Sequence, residues 1–221
     1  MKRLRFITLA LAAAFAISAV ASASASASPE WFKENAKLAK NVKISTGTSL
    51  AGTLELENGN KVKCTSDKVN SGEIEPANKA KNVVVEYKGC TNFGLNCNAT
   101  ATITTKKTKG ELVWLDAAKA KAGILLEPEE AGGLFAEFEC FGAKVQVKGQ
   151  VIGEAKPVKK EQLTGENIFE KGVGKGVQKW VAIEEKAENK QLHCKVGGGA
   201  EEKCALEDTE TLTFEEAVEI R

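Results

Sequence analysis

GILLEPEEAGGLFAEFECFGAKVQVKGQVIG, residues 123 to 153, is the densest run of strand pattern in the chain. Between Gly133 and Cys140, the residues Leu134, Ala136, Phe138 and Cys140 fall on one side of a period-two alternation. Phe135, Glu137 and Glu139 fall on the other, which is how a half-buried strand presents its two faces. Phe141-Gly142 interrupts the run, and Ala143, Val145 and Val147 resume it as the return strand of a hairpin. Upstream, GILL reads as a third strand, ended near Pro128 because proline cannot donate to a ladder. The first face is expected to be core and the second, carrying Phe135, Glu137 and Glu139, to be wet.

The same pattern extends outward. Glu111 to Leu115 and Gly123 to Leu126 read as two strands joined by DAAKAKA, a joint that one helical turn would also fit. Asn82 to Lys88 (NVVVEYK) is β-branched enough for a central strand, and the threonines of Ala99 to Lys106 suit a strand with one wet face. Thr53 onward gives a hairpin in which Leu54 and Leu56 lead into Asn58-Gly59-Asn60 and Val62 and Cys64 lead out. Pro29 to Val42 suits a short amphipathic helix or an irregular lead-in equally well. Beyond Pro157 the chain is polar and glycine-broken, predicting shorter, less regular strands, until Thr209 to Ile220 regains alternation through Leu212, Phe214, Val218 and Ile220 as a C-terminal edge strand. The expected fold is all-β with little helix, an antiparallel β-sandwich or barrel of about ten to thirteen short strands. Residues 28–221 are expected to form a single domain, more regular over 28–157 and less regular over 158–221.

Lys2, Arg3 and Arg5 precede an apolar run from Phe6 to Val20, followed by ASASASA with its small-x-small cleavage sites, the layout of a secretory signal peptide over residues 1–27. The apolar run is shorter than the roughly 18 to 20 residues that span a bilayer, so no membrane span is expected in the mature chain. The balance of 31 basic and 30 acidic side chains lacks the basic footprint of a nucleic-acid binder. All six cysteines lie beyond the leader, and an even number in an exported chain points to disulfides. The expected pairing is Cys90 with Cys97 across NFGLN, Cys194 with Cys204 across a glycine-rich turn, and Cys64 with Cys140 by elimination. No CxxC occurs and His193 is the only histidine, which leaves little for zinc.

The Cys64 strand, the Cys90 loop, the GILLEP turn, the GLFAEFEC strand and the closing TLTFEEAVEI together resemble a group of secreted actinobacterial hypothetical proteins. That group carries GLLLEP, LFAEFEC and TLTxEEAxEI-type segments, and the resemblance covers most of the mature chain. It implies export and a shared β-rich scaffold, and it brings no activity, ligand or catalytic residue.

Candidate chemistry is sparse. Glu137 and Glu139 would project from one strand face with Cα atoms roughly 6.5 to 7 Å apart, within the range glycosidases use, although any wet glutamate face satisfies that spacing. His193 beside Cys194 invites a nucleophile pair, but neighbours on a strand point to opposite faces and an exported cysteine is normally oxidised. Gly172 to Gly176 lacks the spacing of a phosphate loop, and no GxSxG, HExxH or SxxK pattern occurs. Glu127, Glu129 and Glu130 could approach calcium but sit in no recognised calcium loop. Asn98-Ala99-Thr100 is a formal glycosylation sequon. No cofactor motif is present. The leading expectation is a secreted, non-enzymatic structural or binding module of the cell envelope or extracellular space, with a cell-wall or extracellular polymer as the partner class. The alternatives are a glycan-directed hydrolase using Glu137 and Glu139 as acid and base, and an inhibitor or toxin-like module presenting the Cys90 to Cys97 loop.

Overall fold

The computed structural model describes residues 28–45, 48–49, 51–183 and 190–221; the signal-peptide reading of residues 1–27 lies outside them. Nineteen strands and no helix occur among the described residues. They are β1 (Trp31–Lys33), β2 (Ala36–Lys37), β3 (Val42–Ser45), β4 (Thr48–Ser49), β5 (Thr53–Leu56), β6 (Lys61–Lys63), β7 (Ser66–Glu75), β8 (Lys79–Lys88), β9 (Thr91–Asn92) and β10 (Leu95–Asn96). The remainder are β11 (Ile103–Thr104), β12 (Thr108–Trp114), β13 (Ala122–Pro128), β14 (Leu134–Cys140), β15 (Ala143–Gly149), β16 (Val151–Lys156), β17 (Gln162–Phe169), β18 (Leu192–Val196) and β19 (Glu201–Ile220). The excess over the expected number comes from pairings only two or three residues long.

Backbone pairing forms two closed antiparallel circuits. The first runs β3, β7, β8, β12, β13, β16, β17, β19 and back to β3. The second runs β14, β15, β18, β19, β5, β6, β9, β10, and an antiparallel bridge between Cys97 and Cys140 closes it. Both barrels share β19: residues 201–207 pair with β18 and β5, and from Asp208 onward the strand pairs with β17 and β3. Closure removes the unpaired edges that an open sheet would expose.

One apolar core runs through both barrels. Ile74, Leu112, Val151, Phe169 and Val218 fill the first, and Val62, Phe138, Val147 and Leu192 fill the second. The GILL run is buried on both faces because Leu125 points outward with Val113 and Ile152, where Ala182, Leu115 and Trp180 cover them.

Four expectations are corrected. Phe135 does not belong to a wet face: a register shift between Leu134 and Ala136 inserts an extra residue opposite β15, so Phe135 and Ala136 are both buried. The tail is no edge strand, since β19 has partners along both sides and is the longest strand described, at 20 residues, within a segment expected to hold shorter ones. Pro29 to Val42 is neither helical nor irregular; β1 and β2 form a small hairpin paired to the end of β19, with Trp31 packed edge-on against Phe214. Of Ala99 to Lys106, only Ile103 and Thr104 are strand, because Asn98 and Ala101 take left-handed φ values and turn the chain.

The cysteine pairing is also revised. Cys194–Cys204 forms as expected, but the other bridges are Cys64–Cys90 and Cys97–Cys140. Cys90 and Cys97 flank one hairpin, yet each faces a different neighbour: Cys64 at the end of β6, and Cys140 at the end of β14. All three bridges therefore staple the second barrel. Closing the loop of separation 43 between Cys97 and Cys140 stabilises the fold by about 4 kcal/mol in the chain-entropy account. Peptide mass mapping of the unreduced protein should recover Cys64–Cys90 and Cys97–Cys140 links; a Cys90–Cys97 peptide would contradict this topology.

Candidate functional site

The strand pair that suggested acid and base chemistry lies in the open. Glu137 and Glu139 are exposed on β14. Hydrogen bonds from Gln146 at 2.8 Å and Lys144 at 3.2 Å hold the Glu137 carboxyl below its ordinary range. A general acid needs the opposite shift, so this carboxylate is poorly placed to donate a proton. His193 has no thiolate beside it, because Cys194 is bridged to Cys204, and its Nδ1 instead lies 3.6 Å from Glu201. Glu127 is met by Lys109 at 3.2 Å and by the Gln150 amide. Gly172 to Gly176 occupies a hairpin turn closed by the Lys171–Gln178 bridge. Asn98 of the sequon is occupied structurally: its amide donates to the Thr102 carbonyl at 2.7 Å and its Oδ1 accepts from the Glu139 N–H at 2.8 Å.

A different surface stands out at the tip of the second barrel. The β9–β10 hairpin turns through Phe93-Gly94 and the β14–β15 hairpin through Phe141-Gly142. Both central residues of each turn have positive φ: 47° and 80° in the first, 55° and 72° in the second. Two-residue turns of this kind ordinarily take Asn-Gly or Asp-Gly, because a Cβ with a bulky side chain is strained in the left-handed region. Here the strained position is given to phenylalanine twice. Neither ring serves the core, for Phe93 is 79% and Phe141 51% exposed, with Leu95 beside them at 58%. The two rings lean on each other at 6.2 Å between centroids. Immediately beneath them, the Cys64–Cys90 and Cys97–Cys140 bridges fix both hairpins to the barrel wall. Nothing lies within 4 Å of where a Cβ would stand on Gly94 or Gly142, so both turns project outward. No protein-family model, curated protein or solved structure matches this chain.

Alternation alone marks neither this tip nor a second unusual group, a set of buried carboxyls. Extending the Leu212, Phe214 alternation two steps back along β19 brings Asp208 and Glu210 onto the same inward face, and both are buried, as is Asp67 on β7. Asp208 is the residue at which β19 passes from one barrel to the other. Burial, then the charge of Asp67, raises its carboxyl to about 8, while the neighbouring Tyr87 phenol on β8 acts in the opposite direction. Burial and the same two aspartates push Glu210 well above its ordinary value, against a weak donor, the Asn167 amide of β17, at 3.5 Å. Burial and these carboxylates also push the Tyr87 phenol upward.

A raised carboxyl is protonated in the fold and ionised in the unfolded chain across the interval between its two values. The stability it contributes is whole below 3.8 and is lost as pH rises through about 8. At the acid end, hydrogen bonds from Lys33 and Lys40 hold half-buried Glu216 down to about 2, so that contribution is present above 4.5 and is lost as pH falls toward 2. The melting temperature should therefore decline between pH 4 and pH 8, the interval set by the Asp208 values. Asp208→Asn should flatten that decline; an equally steep slope in the variant would remove Asp208 from the account.

Proposed function

We propose that this chain is an exported, non-enzymatic binding module of the cell envelope or extracellular space, and that it engages its target through Phe93, Leu95 and Phe141. The observation that carries this reading is the placing of two phenylalanines at strained, projecting turn positions where they contribute little to the core. Strain that the surrounding structure holds in place is a mark of functional positions. The disulfides beneath the tip pre-organise it, which lowers the ordering cost of binding. Three disulfides and the lack of any helix long and apolar enough to cross a membrane among the described residues fit an extracellular setting. The hydrolase alternative has no comparable support, since Glu137 and Glu139 sit on an open strand and converge in no cleft.

The test uses asparagine, a residue that suits the left-handed turn position. The Phe93→Asn/Phe141→Asn double variant should be at least as stable as the parent, because relief of roughly 1 kcal/mol of strain per site offsets the lost ring contact. In a pull-down with isolated cell-envelope material, the parent should be retained and the double variant released. Glu137→Gln/Glu139→Gln should be retained like the parent. Equal retention of the parent and the Asn variant would overturn the assignment of the tip.

A further inference from the structure

The tip has a second property besides exposure: two exposed lysines stand beside it outside any ion pair among the described residues. Lys61, Lys63, Thr91, Phe93, Gly94 and Gly59 line an open groove of about 300 Å³ on one flank. Lys175 reaches over Gly59 into the same region. Lys144 stands on the other flank, two residues beyond Gly142. Lys61 is paired with Glu55 at 3.0 Å and Lys144 with Glu137 at 3.2 Å, and Glu139 lies opposite Lys144 across the hairpin. Lys63 and Lys175 have no ion-pair partner among the described residues and are exposed.

We infer that the tip docks on an anionic lipid surface, with Phe93, Leu95 and Phe141 entering the headgroup and acyl boundary and Lys63 and Lys175 meeting the headgroups. This deepens the binding-module reading and rests on it. Shape favours a bilayer. The apolar group is convex and small, with open space around both turn glycines, whereas a protein partner would have to supply a matching socket. A bilayer interface accepts such a wedge without shape matching, and lysines near it gain from anionic lipid. The rigid, stapled hairpins allow the rings to enter with little ordering cost.

The oxidised protein recovered from an exporting host would be floated with vesicles of phosphatidylcholine alone and with added phosphatidylglycerol. Binding should rise with the phosphatidylglycerol fraction and fall with salt. Phe93→Asn/Phe141→Asn should weaken the partition constant by about tenfold or more, since two buried rings are lost. Lys63→Glu/Lys175→Glu should abolish the dependence on phosphatidylglycerol. In a Phe93→Trp variant, emission should shift to the blue and be quenched by brominated acyl chains. Absence of vesicle binding, or binding indifferent to the Asn pair, would overturn the inference. Tip-dependent retention on delipidated wall material without vesicle binding would overturn the lipid assignment while leaving the binding module standing. Tip-dependent capture of a protein, or self-association lost in the Asn variant, without vesicle binding would overturn it equally.

Discussion

The whole architecture depends on satisfying both edges of one long strand. Every buried N–H and C=O of β19 needs a partner, and over 20 residues no single neighbour is long enough to provide them. Five strands supply those partners in turn. Along one edge β18 gives way to β17, along the other β5 gives way to β3, and β1 completes the end. Each change of neighbour along an edge is also a change of barrel. The chain thus builds two closed walls around a common member, and the core is continuous through them.

The point of transfer carries an unusual composition. Asp208 comes where β19 leaves β18 and β5 for β17 and β3, and Asp67, Glu210 and Tyr87 gather around it. Fully buried carboxylates are expensive unless paired with cations or protonated. Here the groups face one another and a phenol, so the arrangement is sustained by protons. The second barrel stays closed by other means. Its wall between β10 and β14 is joined by the Cys97–Cys140 bridge, and the disulfides compensate for pairings only two or three residues long. Local weakness in the ladder and covalent reinforcement coincide, and the projecting aromatic hairpins grow from the reinforced place.

Much of this was legible from residues alone. The all-β class, the hairpin through Asn58-Gly59-Asn60, the centrality of Asn82 to Lys88 and the pairing of β12 with β13 all follow from alternation and turn chemistry. What escaped was information about neighbours. Alternation identifies the faces of β19 and says nothing of whether its edges are occupied, so a central strand read as an edge. A bulge moves Phe135 by one position without changing its sequence context. Cys90 and Cys97 are close along the chain, but which walls flank their hairpin depends on closure of the second barrel. Phe-Gly at both tips was visible as two turn dipeptides; that both project, side by side, requires the fold. Asp208 and Glu210 continue the inward parity of Leu212 and Phe214, but carboxylates ordinarily lie at the surface, so only the fold places them inside.

The position of the shared strand also orders events in time. Residues 201–220 follow all five of their partner strands along the chain, so neither barrel can close until that stretch is present. A chain synthesised N-terminus first would remain a set of hairpins with open walls until β19 is made, and would then complete both barrels together. Late closure of this kind makes the two barrels a single cooperative unit.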